Sequence, residues 1–454
     1  MNARPASPPE TEASIEARLT GAIVPNREFR RLRARQPDAR PGIQAAIDAC
    51  GAAGGGRVVL DGGDHPCRGP LVLRSGVELH LHDACVVTFE PRPEYYLPPV
   101  RCRWAGTDCY NYSPFLYANG QSDIAITGRG RFEGCGEAWW PWRRDTRDRA
   151  EPILELRRMG EQGVPVERRI FGRPGVLRPP MFSPHFCRNV TVDGPTFRNS
   201  PFWTFCPTYC ENVVVRNVLL IGEGCNTDGA TADSCTDVLF EHVRVRVADD
   251  GFVLKSGYNR DGRRMGRPCR NVIMRGNEVL RAHTLLAIGS ETAAGVENVF
   301  VRDCFASSGE VLWGVHLKSC PGRGGVVSNV DIRRIRFRTI AQNLLRINLR
   351  YAQNGPIGEA ELPGVENVLL EDVECEGTGK SPLFIVGNEG RPVGRVELRR
   401  IFVGRSAAQS VIAHARDLHL EDVRIAPPPE VAALADRDFD VEEVPPGGRW
   451  VPAS

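Results

Sequence analysis

Several things are missing from this sequence, and each absence removes a class of protein. Lysine and arginine nearly balance the acids, leaving a formal charge of +2, with no block of one sign. A nucleic-acid binder and a charged tail are therefore not indicated. No run is long and apolar enough to span a membrane. The opening "MNARPASPPETEASIEARLTGAIVPNREF" has early charges and prolines and lacks the apolar core of a secretion signal. The expectation is a cytoplasmic protein, unless a leader has been removed. The fifteen cysteines are odd in number, and no His–Cys cluster shows ligand spacing. Neither a disulfide framework nor a metal centre is expected, and buried free thiols account for the cysteines better. No cofactor is expected.

What the sequence has is repetition. A short phrase recurs as "CRNVTVDG" at Cys187, "CENVVVRN" at Cys210, "CTDVLFEH" at Cys235 and "CRNVIMRG" at Cys269. It continues as "VENVFVRD" at Val296, "VSNVDIRR" at Val327, "VENVLLED" at Val365 and "ARDLHLED" at Ala415, with an early copy at Ser122. A period of roughly 20 to 40 residues is that of a solenoid. Each copy is a polar turn followed by alternating Val, Leu or Ile, which is the strand signal. With Gly 47 and Pro 35, the chain has turns to spare. The reading is all-β: a single-domain, right-handed parallel β-helix in which each repeat forms one coil. The cysteine that opens several copies becomes a small stacking residue. "IQAAIDACGAA" departs from the pattern and reads as an N-terminal capping helix, with Ile43, Ala46, Ile47 and Cys50 on one face. This divides the chain into a peripheral extension over 1–40, the β-helix over 41–425 and a tail over 426–454. The charged stretch 140–178 breaks the repeat and reads as a long insertion near the cleft.

Stacking turns distant residues into neighbours, because equivalent positions on adjacent coils lie about 4.8 Å apart. Asp228 in "NTDG", Asp249 and Asp250 in "ADDG", His283 in "AHT", His316 and Lys318 in "HLK", and Tyr351 in "RY" follow one another at about one coil each. They would line one face. Close carboxylates push their proton affinities apart, so one stays protonated while the others ionise, the arrangement that acid–base hydrolysis needs. "DDG" and "NTDG" are also ordinary turns, and spacing alone favours neither reading. Adjacent strand residues point to opposite faces, so Asp249 and Asp250 share a cleft only if the backbone bends there.

The ordered set "TDCYNYSPFLYA", "IAITGRGRFEG", "NSPFWTF", "NTDGATADSC", "ADDGFVLKSG", "GRRMGRP", "AIGSE", "GVENVFVRDC" and "KSCPGRGG" resembles glycoside hydrolase family 28, the polygalacturonase family, in its bacterial form. The resemblance implies an inverting hydrolase acting on pectic carbohydrate. It implies that Asp249 is the general acid and that Asp228 and Asp250 hold and deprotonate water. His283 then lies near the acid. Asn226, Lys318 and Tyr351 contact the sugar, and His316 stands in the sugar-binding pattern. Arg323 either meets a uronate or holds a turn. Trp139, Trp140 and Trp142 either stack on sugars or pack at the edge. Two departures stand out. "AHTLL" replaces the family's Gly-His-Gly, and "HLK" places His316 where the family has Arg, a weaker and pH-dependent partner for a carboxylate. A rhamnogalacturonan or another decorated uronide is the alternative substrate. A β-helix that only binds polysaccharide, and a lyase or epimerase, are the rival classes. An exo mode on short oligosaccharides accompanies the expected cytoplasmic location.

Overall fold

The computed structural model describes residues 10–34, 37–144, 151–175, 177–351 and 361–426. The expected tail, beyond Ala426, lies outside the described residues. The strands of the main sheet wind into a right-handed parallel β-helix, each paired with its equivalent one coil on, while Val100–Trp104 and Thr107–Asn111 form a separate antiparallel pair. Three strands make a typical coil, as in Thr236–Glu241, Arg244–Val247 and Phe252–Lys255. The register is strict: Val213, Val238, Val272, Val299, Val330, Val368 and Val396 pair in one continuous column. Their side chains are buried and fill the bore. Alternation of side chains follows, one set inward and one outward.

The repeated Asn or Asp of each phrase has a specific task. Asp123, Asn189, Asn212, Asp237, Asn271, Asn298, Asn329 and Asn367 all adopt φ near +55 to +59°. These residue types tolerate that left-handed corner better than any other side chain. Their amides bond along the axis: Asn189 Nδ2 donates to Asp123 Oδ1 at 2.9 Å, Asn298 Nδ2 to Asn271 Oδ1 at 3.0 Å, and Asn329 Nδ2 to Asn298 Oδ1 at 3.1 Å. The repeat cysteines Cys187, Cys210, Cys235 and Cys269 are buried, and all fifteen thiols are free.

The helix Arg40–Ala52 closes the N-terminal end, burying Ile43, Ala46, Ile47 and Cys50 as its spacing predicts. The segment before it does more than skirt the solenoid. Glu28–Leu32 pairs with Gly56–Leu60 as a further parallel strand. Upstream, Ile15 and Leu19 pack on the outward column Val214, Leu239 and Ile273. This strap lies where the amide ladder is interrupted. Asp237 has no N–H to offer Asn212, and the Gly21 amide donates to Asn212 Oδ1 at 3.1 Å instead. Arg18 pairs with the Asp237 carboxylate at 3.0 Å. The stretch 140–178 contains the helix Glu151–Gln162, whose Leu156 joins Trp104, Phe202 and Trp203 in a second cluster. Trp139 is buried against Tyr96 and Tyr112, and Trp140 Nε1 donates to the Ser200 carbonyl at 2.9 Å, so both pack in the edge of the solenoid.

Ile15 is fully buried in a small cluster that ties the strap to three coils. Ile15→Ala is expected to cost about 2–4 kcal/mol, measured as a shift of the denaturant midpoint. A midpoint equal to that of the unaltered chain would mean that the strap contributes nothing to stability.

Candidate active site

The site forms where two adjacent coils break regular pairing on the same face. Asp228 lies in the turn between Leu219–Gly222 and Ala230–Asp233. Asp249 and Asp250 lie in the bend between Arg244–Val247 and Phe252–Lys255. This bend is the condition the sequence sets for two adjacent acids to face one cleft. Asp228 and Asp250 occupy matching places on neighbouring coils, since the Gly229 amide donates to the Asp250 carbonyl at 2.9 Å and Ala230 pairs with Phe252. His283 sits within Glu278–Gly289, and His316 and Lys318 sit at the end of Val311–Lys318.

Each carboxylate has its own partners. Asp250 is buried and accepts from Lys318 Nζ at 2.6 Å and from Thr284 Oγ1 at 3.1 Å. Thr284, a departure from the family's Gly-His-Gly, therefore adds a donor to this acid. Asp249 is half-buried. Its Oδ1 meets His283 Nδ1 at 3.2 Å, and its Oδ2 takes a long contact of 3.4 Å from Asn226 Nδ2. Asp228 is buried, 4.0 Å from Lys255 Nζ. Arg178 donates to Asn226 Oδ1 at 2.8 Å and so fixes the amide that faces Asp249. The ligand-type atoms of Asp249, Asp250 and His283 lie within 4.8 Å of one another, and the Lys318 ammonium supplies positive charge to that cluster.

These environments separate the three acids. Burial, reinforced by the Asp249 charge, pushes Asp228 well above the usual carboxylate range. Burial also pushes Asp249 up, but the His283 hydrogen bond and charge overcome it and hold the group down at about 2. His283 in turn is raised: burial opposes its charge, and the Asp249 carboxylate more than compensates. The cluster thus favours a proton on Asp228 and on His283, which lies one hydrogen bond away from Asp249.

The remaining sugar-contact candidates divide. Tyr351 lies beside Lys318, with Nζ 5.7 Å from the ring centre, and edge-on to His316 at 5.9 Å. His316 is buried, packs on Trp313 at 5.0 Å between ring centres, and has neither ring nitrogen hydrogen-bonded. Burial, then the charges of Lys318 and Arg346, drive its proton affinity well below normal. It is a neutral ring, not the pH-dependent cation that the sequence suggests. Arg323 is fully buried. Its guanidinium lies 3.9 Å from the centre of the Tyr258 ring and donates to Asn259 Oδ1 at 2.8 Å, which is the turn-holding arrangement. Lys255, Glu291 and Arg178 are not singled out by the sequence. The signal for the first two was present: a lysine ending the apolar strand "FVLK" and a glutamate in "GSE".

A parallel β-helix with clustered acids on one face, held by interleaved lysines and a histidine, has the makings of an acid–base hydrolase. Residues 173–418 match the family model described as glycosyl hydrolases family 28, and the chain belongs to that family. The structure is similar to that of a hyperthermoactive exopolygalacturonase from Thermotoga maritima, with a TM-score of 0.84, 32% identity, and coverage of 91% of this chain and 95% of that one. By sequence it is 24% identical over 298 residues to a probable polygalacturonase of Vitis vinifera, a match spanning 64% of this chain and 55% of that protein. It is also 24% identical over 217 residues to an exo-poly-alpha-D-galacturonosidase of Dickeya chrysanthemi, spanning 45% of this chain and 35% of that protein. The chain therefore spans only about half, or less, of these curated relatives.

The His283–Asp249 pair can be tested without substrate. In the unaltered protein the His283 imidazolium is expected to persist above pH 6.5 and to be lost as pH rises through its raised value. In Asp249→Asn the pairing charge is gone and the histidine should titrate lower. Nitrogen-detected NMR of the imidazole follows both, and an identical titration in the two proteins would dissolve the pair.

Proposed function

We propose that this chain is an inverting glycoside hydrolase that cleaves the α-linkages of pectin-type galacturonides, removing units from chain ends. The observation that carries the reading is the placement of Asp228 and Asp250 at matching positions on adjacent coils, with Asp249 beside them and paired to a histidine. A water held between Asp228 and Asp250 meets one group that donates and one that accepts. Its oxygen attacks the anomeric carbon and its proton passes to Asp250. The glycosidic C–O bond breaks as the leaving oxygen takes a proton from Asp249. That proton is available from His283 along the 3.2 Å contact. A bound sugar excludes water from the cleft, which disfavours the Asp249–His283 ion pair and moves the shared proton towards the carboxylate. Lys318, 2.6 Å away, holds the Asp250 carboxylate in place beside the water. The exo mode is supported by the likeness to the Thermotoga and Dickeya enzymes.

Product analysis on pectic oligosaccharides, with unaltered enzyme and Asp249→Asn, tests this reading. The expected products are saturated monosaccharides or disaccharides, released with inverted anomeric configuration by NMR. Removing the acid should slow release by about 10²- to 10⁴-fold. Unsaturated products, or an Asp249→Asn variant as fast as its parent, would overturn it.

A second reading, a decorated uronide as substrate, is favoured by the neutral His316 at the family's arginine position. The change His316→Arg decides between the two. On sequence grounds it should improve cleavage of plain oligogalacturonides if this position sets the substrate. In the structure the new guanidinium would enter a buried place already flanked by Lys318 and Arg346. The expected outcome is a lowered melting temperature with no gain in kcat/KM. A gain on plain oligogalacturonides would favour the decorated substrate for the unaltered enzyme.

A further inference from the structure

Behind the three acids lies an ion pair that the proposed reaction does not use. Lys255 ends the strand Phe252–Lys255 and is buried. Its Nζ lies 2.9 Å from Glu291 Oε2, 4.0 Å from Asp228 Oδ2 and 4.5 Å from the centre of the Trp203 ring. Glu291 is buried too. Its backbone carbonyl accepts from the Ser256 amide at 2.6 Å, and its side chain packs so closely on Gly106 that a Cβ there would come within 2.8 Å of Glu291 Cγ. Glycine leaves room for this carboxylate. Burying two ions carries a desolvation cost, and an apolar pair of similar size would fill the same space at least as stably. The pair therefore calls for an explanation other than packing.

Position supplies one. Asp228 is faced by Asp249 and Asp250 from the bend, by Lys255 from the next coil, and by Lys318 from three coils on. Lys255 is faced by Glu291, Asp228, Lys318 and the buried Asp233 in register beside it, and Glu291 by Lys255, Arg323, Arg157 and Asp233. His283 is turned to Asp249. Burial works against both charges of the pair, yet Glu291 and Asp228 lift Lys255 to about 12, and Lys255 and Arg323 hold Glu291 at about 2. Both stay ionised across the working range. An unopposed ammonium at 4.0 Å would draw Asp228 into its ionised form. With Glu291 at 2.9 Å, that charge is largely taken up on the far side.

We propose that Lys255 and Glu291 are positioning residues for the hydrolytic water: Lys255 anchors the Asp228 carboxyl, and Glu291 absorbs the ammonium's charge, so that Asp228 meets the water as a hydrogen-bond donor while Asp250 meets it as an acceptor. This rests on the hydrolase reading above and adds to it the device that makes the two matching acids unequal. The device is electrostatic, so its signature is a change of sign between variants. Glu291→Gln leaves the Lys255 charge bearing on Asp228, which should then lose its proton at lower pH. Lys255→Met removes the cation and should move that titration upward. Joining the two changes leaves the net charge of the pair as it was and should bring the titration back.

The test is the pH dependence of kcat on a pectic oligosaccharide for the unaltered enzyme, Glu291→Gln, Lys255→Met and the double variant, with melting temperatures to confirm folding. The alkaline limb is expected to move down by at least about one pH unit in Glu291→Gln. It should not move down in Lys255→Met, and it should return in the double variant. A fall in kcat with every limb in place would show that the pair only supports structure, and would overturn the proposal. If one single variant does not fold, the direction given by the other still decides. If the unaltered enzyme cleaves nothing, the hydrolase reading fails on that result alone. Carbon-detected NMR of the Asp228 carboxyl in the same proteins then reads the opposite shifts directly, and unshifted titrations would overturn the charge device too.

Discussion

Strict register between stacked coils is the constraint on which everything else in this molecule depends. Parallel strands can wind indefinitely only if every coil closes on the same length and turns its corners at the same places. The left-handed corner of each coil is where that is enforced. Asparagine or aspartate takes the positive φ there, and the asparagine side chains then bond to the corner one coil below. A buried amide that lost its neighbour would leave a polar group without a partner, so a slipped coil is penalised at once. The interruption at Asp237 is instructive. Where Asp237 follows Asn212, the ladder lacks a donor, and the chain brings its N-terminal segment back to supply the Gly21 amide and the Arg18 guanidinium.

The same register builds the active site and sets its electrostatics. Asp228 and Asp250 are neighbours because their coils are, and stacking at strand spacing inevitably crowds like charges. The chain answers by placing lysines within reach of the same column of acids. Lys318 pairs directly with Asp250, and Lys255 stands farther from Asp228 with Glu291 behind it. The distances differ, 2.6 Å against 4.0 Å, and so do the consequences. Two acids that are equivalent by symmetry of the fold become different by the reach of their cations. Asp249 is separated again, by a bend in the backbone and by a histidine. A repetitive scaffold thus yields three chemically distinct carboxyl groups.

Much of this was legible in the sequence, because repetition is a strong signal. Alternating Val, Leu and Ile announced the strands, the spacing of Ile43, Ala46, Ile47 and Cys50 announced the capping helix, and the recurring cysteines fitted a buried column. The acids at Asp228, Asp249 and Asp250 stood out as turn carboxylates about one coil apart. Less visible were the contacts made across coils by residues that interrupt no pattern. Lys255 and Glu291 each look unremarkable alone, and only the fold puts their charges 2.9 Å apart. The strap escaped notice because Ile15 and Leu19 bury an outward sheet face, whose apolar residues in strands such as "NVVVRN" blur the alternation. Arg323 could not be assigned from sequence, since a guanidinium in a glycine-rich turn looks the same whether it faces a ligand or Tyr258.

The departure at His316 shows why charge has to be judged in place. On the sequence it reads as an arginine exchanged for a weaker cation, with recognition that follows pH. In the structure His316 pairs in register with Arg346 one coil on and lies close to Lys318. Burial penalises a charge there first, and the two neighbouring positive charges add to the penalty. The imidazole stays neutral for that reason, and protonation of this residue does not govern how the cleft takes an anion. The positive potential is carried instead by Lys318 and by Arg346, whose guanidinium lies 4.0 Å from the centre of the Phe384 ring.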